Sequence, residues 1–162
     1  PSGKPLAVDL IPKISQRVYC VGRLDVDSTG LIILTNDGSL TQYLTHPKYG
    51  VSKTYVVSID GSITAEDIEK LKKGMYLDGK KTQGVGVRVM KRGAHGSILS
   101  MQLTEGRNRE IRRMLARLGY NVEKLKRTAI GPLTDRGLKI GSGRVLSDAE
   151  VSKLKKSGLK PL

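Results

Sequence analysis

The chain has 162 residues, 38% of them hydrophobic and 27% charged, which suits one globular domain with its own core and excludes global disorder. The formal net charge of +14 favours a polyanionic partner, nucleic acid before an anionic membrane, although lysine-rich and thermophilic proteins also carry such an excess. No apolar run is long enough to span a bilayer, no signal-peptide pattern is present, and a single cysteine excludes an intrachain disulfide framework and fits a reducing cytoplasm.

Residues 1–13 are rich in Pro and Gly and read as loop or extended chain. Residues 17–23 read as a strand, in which Cys20 lies between Tyr19 and Val21 as a buried, inert thiol. Residues 25–30 are polar and turn-forming. Leu31-Ile32-Ile33-Leu34-Thr35 then reads as a buried strand closed by Asp37-Gly38. Ser39 is placed to cap a short helix that runs through Leu44 and stops before His46-Pro47.

Residues 52–60 are β-branched and strand-like. Thr64-Ala65-Glu66-Asp67 resembles a capping box, opening a helix that turns Ile68 and Leu71 inward and ends at Gly74. Strands are predicted over residues 75–78, 85–91 and 97–104. Asn108 is expected to cap the next helix. There Ile111, Met114, Leu115 and Leu118 recur at i, i+3, i+4 and i+7 as one apolar stripe. Arg109, Arg112, Arg113 and Arg117 lie off that stripe, and Gly119 closes the helix. Residues 122–130 read as a strand, and Ser147 opens a last helix whose lysine-rich end frays near Gly158. Several strands follow one another without regular βαβ alternation, so the fold class is α+β, with a largely antiparallel mixed β-sheet flanked by helices.

Two stretches carry the chemistry. In Gly22-Arg23-Leu24-Asp25-Val26-Asp27-Ser28-Thr29-Gly30, glycines bound a loop that bears a carboxylate. Asp25 there can serve as nucleophile, general base or metal ligand, or it can be a turn or cap aspartate. Asp27, beside Ser28 and Thr29, is the better structural turn residue. The second stretch, Glu105 to Met114, puts arginines at a helix N-terminus, where unpaired N–H groups favour a phosphate. Arg107, Arg109 and Arg113 could hold an RNA backbone, or they form a solvated face. Tyr55 can pack in the core or stack on an unstacked base. The Gly-rich pieces at 84–86 and 141–144 lack the spacing of a phosphate loop, and no metal-ligand spacing appears.

Together these residues resemble the ribosomal RNA pseudouridine synthases of the RsuA/RluB/RluE/RluF type, over about residues 13–154. Gly22-Arg23-Leu24-Asp25 with Ser28-Thr29-Gly30-Leu31 is similar to the family's catalytic motif. Leu34-Thr35-Asn36-Asp37-Gly38, Lys53-Thr54-Tyr55, Glu105 to Met114 and Leu125-Lys126-Arg127 match further family motifs in order.

The resemblance implies the pseudouridine synthase fold and isomerisation of a specific uridine in ribosomal RNA, in the large subunit by the wording of residues 105–109. By this resemblance Asp25 matches the catalytic aspartate. Tyr55 matches the tyrosine that stacks on the target uracil and takes part in proton removal at C5. Arg112 matches the basic residue paired with the aspartate, and Ile111 an aliphatic position packing under the site. Arg23 matches an RNA-contacting arginine, and Arg107, Arg109, Arg113, Lys126 and Arg127 are assigned to RNA binding. The implied enzyme uses no metal, nucleotide or redox cofactor, is a cytoplasmic monomer, and meets ribosomal RNA or a pre-ribosomal particle.

Residues 1–162 are read as the catalytic domain alone. The family's small N-terminal S4-type RNA-binding domain and the first strand have no counterpart here, and Gly3-Lys4-Pro5 stands where a Lys-Pro segment is expected. Two alternatives compete. A non-catalytic rRNA-binding assembly factor would use the same positive surface but needs no carboxylate facing RNA. The other is an RNA-cleaving or glycosidic hydrolase, and a retaining hydrolase would need a second carboxylate, for which Glu105 is the candidate.

Overall fold

A computed structural model of the chain describes residues 7–10 and 15–159. A 3-10 turn, Ala7–Leu10, stands where loop is predicted, while Gly3-Lys4-Pro5 lies outside the described residues. The strands are β1 Tyr19–Val21, β2 Thr29–Gly30, β3 Ile33–Thr35, β4 Lys53–Asp60, β5 Tyr76–Leu77, β6 Lys80–Lys81, β7 Gly86–Gly93, β8 Gly96–Leu103, β9 Val122–Ile130 and β10 Leu133–Thr134. The helices are α1 Gly38–Thr45, α2 Ala65–Lys73, α3 Glu110–Arg117 and α4 Asp148–Lys155.

The main sheet runs β10-β9-β4-β8-β7, all antiparallel, with β2 added parallel to β9. β1 and β3 form a separate antiparallel pair, and β5 and β6 a short hairpin. The expected α+β class with a mixed, largely antiparallel sheet is therefore present.

Two apolar clusters hold the elements together. In the first, Val57, Ile59, Leu99, Met101 and Leu125 of the sheet meet Leu71 of α2 and Ile111, Met114 and Leu115 of α3. In the second, Val21, Ile33 and α1 residues Leu40, Tyr43 and Leu44 pack on Ile130, Leu133 and Leu154. Burying one such aliphatic side chain contributes roughly 1.5–3 kcal/mol. An exposed ion pair contributes about 0–1 kcal/mol. The cores, not the many surface ion pairs, carry the fold.

Several ends differ from expectation, each for a local reason. α1 starts two residues early, so Asp37 rather than Ser39 is its cap, with Oδ1 accepting from the Leu40 amide at 3.0 Å. The run 31–35 is strand only from Ile33: Leu31 donates its amide to the Arg127 carbonyl at 2.8 Å, and the chain must leave that edge before it joins β1. At α2, Thr64 Oγ1 accepts from the Asp67 amide at 3.1 Å, but its own amide goes to the Tyr120 hydroxyl at 3.4 Å, so no backbone-reciprocal box forms. The strand expected over residues 75–78 shrinks to β5, because the chain turns back at once into β6. Asn108 does not cap α3. Arg109 takes that position at φ 48°, in the left-handed region, and Glu110 instead reaches back to the Arg107 amide at 3.1 Å. Gly119, at φ +90°, follows Leu118, which is the C-terminal cap. Cys20 is half-buried rather than buried.

Candidate active site

The loop bearing Asp25 leaves β1 and returns through β2, and β9 fixes its position. Thr29 and Gly30 pair with Lys126 and Arg127. Arg127, only 4% exposed, donates Nε to the Leu31 carbonyl at 2.7 Å and Nη1 to the Arg23 carbonyl at 3.3 Å. One buried guanidinium thus holds both ends of the loop. Arg127, assigned to RNA binding by the sequence reading, is thus a buried structural staple that also lines the cleft described below. Within the loop the Ser28 amide donates to the Asp25 carbonyl at 2.9 Å, closing a turn that presents the Asp25 carboxylate.

The arginine helix approaches this loop from the other side. Arg109 donates Nη1 and Nη2 to the two carboxylate oxygens of Asp27 at 3.0 and 2.8 Å. Its Nη1 stands 3.8 Å from Asp25 Oδ2. Arg112 donates Nη2 to the Asp27 carbonyl at 2.8 Å and Nη1 to the Val122 carbonyl at 2.9 Å, and its Nε lies 3.3 Å from Asp27 Oδ2. The sequence reading pairs Arg112 with Asp25. In the structure it is Asp27 that Arg112 engages, because both the carbonyl and the carboxylate of Asp27 face α3. The Arg109 hydrogen bonds hold the Asp27 carboxyl below its ordinary range, and the same bonds raise Arg109.

A cleft of about 390 Å³ opens between the two apolar clusters, with Val21, Leu44 and Ile130 on one wall and Leu103, Ile111 and Leu125 on the other. That falls in the lower part of the size range of ligand clefts, roughly 300–1,000 Å³. Arg23, Asp25, Tyr55, Arg107, Arg109 and Arg127 also line it. β4 supplies Tyr55, set opposite Arg127 in the register with β9 and packed on the first cluster. Ile111, 4% exposed, forms part of the apolar wall.

Arg112, Arg113 and Lys126 are not among the lining residues. Arg113 pairs with Asp78 at 2.5 Å and Lys126 with Asp135 at 2.6 Å, both outside the cleft. Arg107 is partly engaged, with Nε 2.9 Å from Glu105 Oε2 and Nη2 donating to the Lys81 carbonyl at 2.9 Å. Glu105, the candidate second carboxylate, is therefore already paired. Burial pushes the neighbouring Glu110 carboxyl up from its ordinary range.

Sequence reasoning gives no site role to two residues found here. Lys53 lines the cleft, donates to the Val51 carbonyl at 3.3 Å, and has its pKa lowered by burial and then by Arg127. Its signal was its place two residues before Tyr55. Asp27 was read as a turn residue, and nothing local in the sequence announces partners 82 and 85 residues away. Among the described residues no group of three or more His, Cys, Asp or Glu could hold a metal ion, and no helix is long and apolar enough to cross a membrane.

The family described as RNA pseudouridylate synthase matches residues 8–117. Ribosomal large subunit pseudouridine synthase B of Bacillus subtilis (strain 168) is 39% identical over 155 residues, covering 94% of this chain and 64% of that protein. The protein of the same name from Pseudomonas aeruginosa is 35% identical over 167 residues, covering 100% of this chain and 43% of that protein. A crystal structure of a pseudouridylate synthase superposes with a TM-score of 0.79 at 32% identity, covering 85% of this chain and 59% of that one. The chain thus spans less than two thirds of the length of these relatives. A protein of an H/ACA RNP bound to substrate RNA, at TM-score 0.57 and 16% identity, shares the fold.

Proposed function

The chain belongs to the RNA pseudouridylate synthase family, and we propose that it isomerises a uridine of ribosomal RNA, in the large subunit, to pseudouridine. One observation carries this reading: Asp25 and Tyr55 line the same cleft as Arg23, Arg107 and Arg109. The Asp25 carboxylate, an aromatic ring and a majority of cations among the charged lining residues suit a single nucleotide drawn out of its stack.

The reaction breaks the C1′–N1 bond, turns the uracil, and joins C1′ to C5. The C5 proton leaves and N1 gains one, so composition is unchanged. Asp25 carries the exchange. Attack at C1′, attack at C6 and a glycal route all begin from this carboxylate. Unstacking the base costs a few kcal/mol, offset by stacking on Tyr55 and by cationic contacts to the phosphates. The apolar walls keep the detached uracil from escaping. Ile111 packs against the bound base, and Arg112 acts on the site through the Asp25 loop. The enzyme works in the cytoplasm as a monomer, on free ribosomal RNA or a pre-ribosomal particle.

Product analysis tests this reading against its rivals. Ribosomal RNA treated with the protein, digested to nucleosides and separated by chromatography with mass detection, should show a new nucleoside of uridine mass. Free uracil or a cleaved chain would point to a hydrolase, and an unchanged digest from bound RNA to a binding protein.

A further inference from the structure

We infer that Lys53 is a further catalytic residue: with the free Nη2 of Arg127 it takes up the negative charge that develops on the uracil oxygens during the exchange. The inference rests on the reading of the cleft given above.

β4 sets Lys53 two residues before Tyr55, so both side chains leave the same face of the strand, and both line the cleft. Opposite them the ladder between β4 and β9 slips by one residue. Lys53 faces Ile130 and Thr54 faces Ala129, but Tyr55 faces Arg127, with Thr128 left over. Such a bulge re-aims a side chain, and Arg127 joins the cleft lining beside Lys53 and Tyr55.

This corner holds two cations and no counterion. Arg127 is 4% exposed, and while its Nε and Nη1 are bonded to the Leu31 and Arg23 carbonyls, its Nη2 is buried without a partner. Lys53 donates only to the Val51 carbonyl, at 3.3 Å, which leaves ammonium hydrogens unused. Among the described residues no carboxylate pairs with either. Burial, then the charge of Arg127, lowers the Lys53 pKa. Two cations held together without a counterion cost stability, and a charged substrate group offsets that cost.

The phosphates of an extruded nucleotide stay with the backbone at the rim, where Arg23 and Arg109 are exposed. The base enters the cleft to meet the Tyr55 ring, so the group that reaches Lys53 is the uracil. Every route from Asp25 charges it. Attack at C1′ and the glycal route break C1′–N1, and N1 keeps the electron pair, shared with O2 and O4. Attack at C6 sends a pair to C5 and O4. Lys53 donates a hydrogen bond to the charged oxygen and keeps its own proton. The charge disappears when C5 joins C1′; C5 then releases its proton and N1 gains one. In a cleft shielded from water such a contact is worth far more than in solution.

The test compares wild type, Lys53→Met and Lys53→Arg on a large-subunit rRNA transcript tritiated at uracil C5. Lys53→Met keeps the apolar stem and should lower kcat roughly 100-fold, the effect of removing one donor from a developing oxyanion. Its RNA dissociation constant should change by less than about threefold, because no phosphate contact is removed. Its urea midpoint should not fall, because an unpaired charge has gone. Lys53→Arg restores charge and donors in a different shape and should regain about tenfold over Lys53→Met. A second transcript carries fluorouridine, with fluorine at C5, and is followed as loss of that nucleoside from the digest. Fluorine draws the ring charge itself, so there the loss on Lys53→Met should shrink by about tenfold.

A Lys53→Met kcat within about threefold of wild type overturns the inference. So does a loss confined to RNA affinity with a salt slope smaller by about one, which marks a phosphate contact. A kcat loss that fluorouridine leaves unchanged, that Lys53→Arg does not relieve, or that comes with a lower urea midpoint overturns it too. If wild type itself releases no tritium from RNA that it binds, the proposed function fails and this inference with it. An active wild type with an indifferent Lys53 sinks this inference alone.

Discussion

Gly30 lies so close to Arg127 that a Cβ on it would stand 2.2 Å from the Arg127 carbonyl oxygen and 2.6 Å from its amide nitrogen. Its φ of +114° is also one that side chains rarely adopt. This contact sets the parallel pairing that holds the Asp25 loop against β9. Gly30→Ala should therefore cost roughly 2–5 kcal/mol, strain and overpacking together, read as a lower urea midpoint. A loss under about 0.5 kcal/mol, the range of an inert surface change, would show that the loop is not pinned there.

Arg112 spans from Asp27 to the Val122 carbonyl at the start of β9. Arg112→Met removes both backbone contacts. Hydrogen bonds from a charged donor are worth about 1.5–3 kcal/mol each, so stability and kcat should fall together. Urea unfolding beside a turnover assay checks this. A variant of wild-type stability that has lost only turnover would place Arg112 on Asp25 during the reaction, as the sequence reading had it.

Arg23 is exposed on the rim of the cleft, whereas Lys126 is held by Asp135 at 2.6 Å. Arg23→Ala should weaken RNA binding and reduce the slope of log affinity against log salt by about one, with no change in melting temperature. Filter binding between low and moderate salt measures it. An unchanged slope would remove Arg23 from the RNA interface.

Glu150 and Arg144 give a pH prediction. Arg144 bonds both carboxylate oxygens at 2.8 and 2.6 Å, and the Ser147 amide adds a third bond at 2.9 Å, holding Glu150 at about 2. The folded value lies below the ordinary 4.5, so the stabilisation is present above that value and is lost only as pH falls toward about 2. Side-chain ¹³C titration should find Glu150 still ionised at about pH 3, and Arg144→Gln should return its midpoint to the ordinary carboxylate range. A wild-type midpoint already in that range would contradict the clamp.

Much of this was legible in the sequence where one local rule decides. The stripe from Ile111 to Leu115 is buried, and the strand read over 122–130 is β9 from end to end. Ser147 opens α4 as read, and a capping box with Glu150 closes its first turn. What was not legible depends on partners distant in the chain. Arg127 reads as one more cation of a basic protein until the fold buries it against Leu31 and Arg23. Asp27 reads as a turn residue until α3 arrives. Asn108 has the chemistry of a cap, but the left-handed backbone at Arg109 and the reach of Glu110 take that position from it.

The most direct measurement is tritium release from large-subunit rRNA labelled at uracil C5, for wild type beside Asp25→Asn. Isomerisation must free the C5 hydrogen. Release by wild type, abolished by Asp25→Asn with RNA affinity nearly intact, is the result this account predicts. Equal release by both proteins, or none from RNA that both bind, would contradict it.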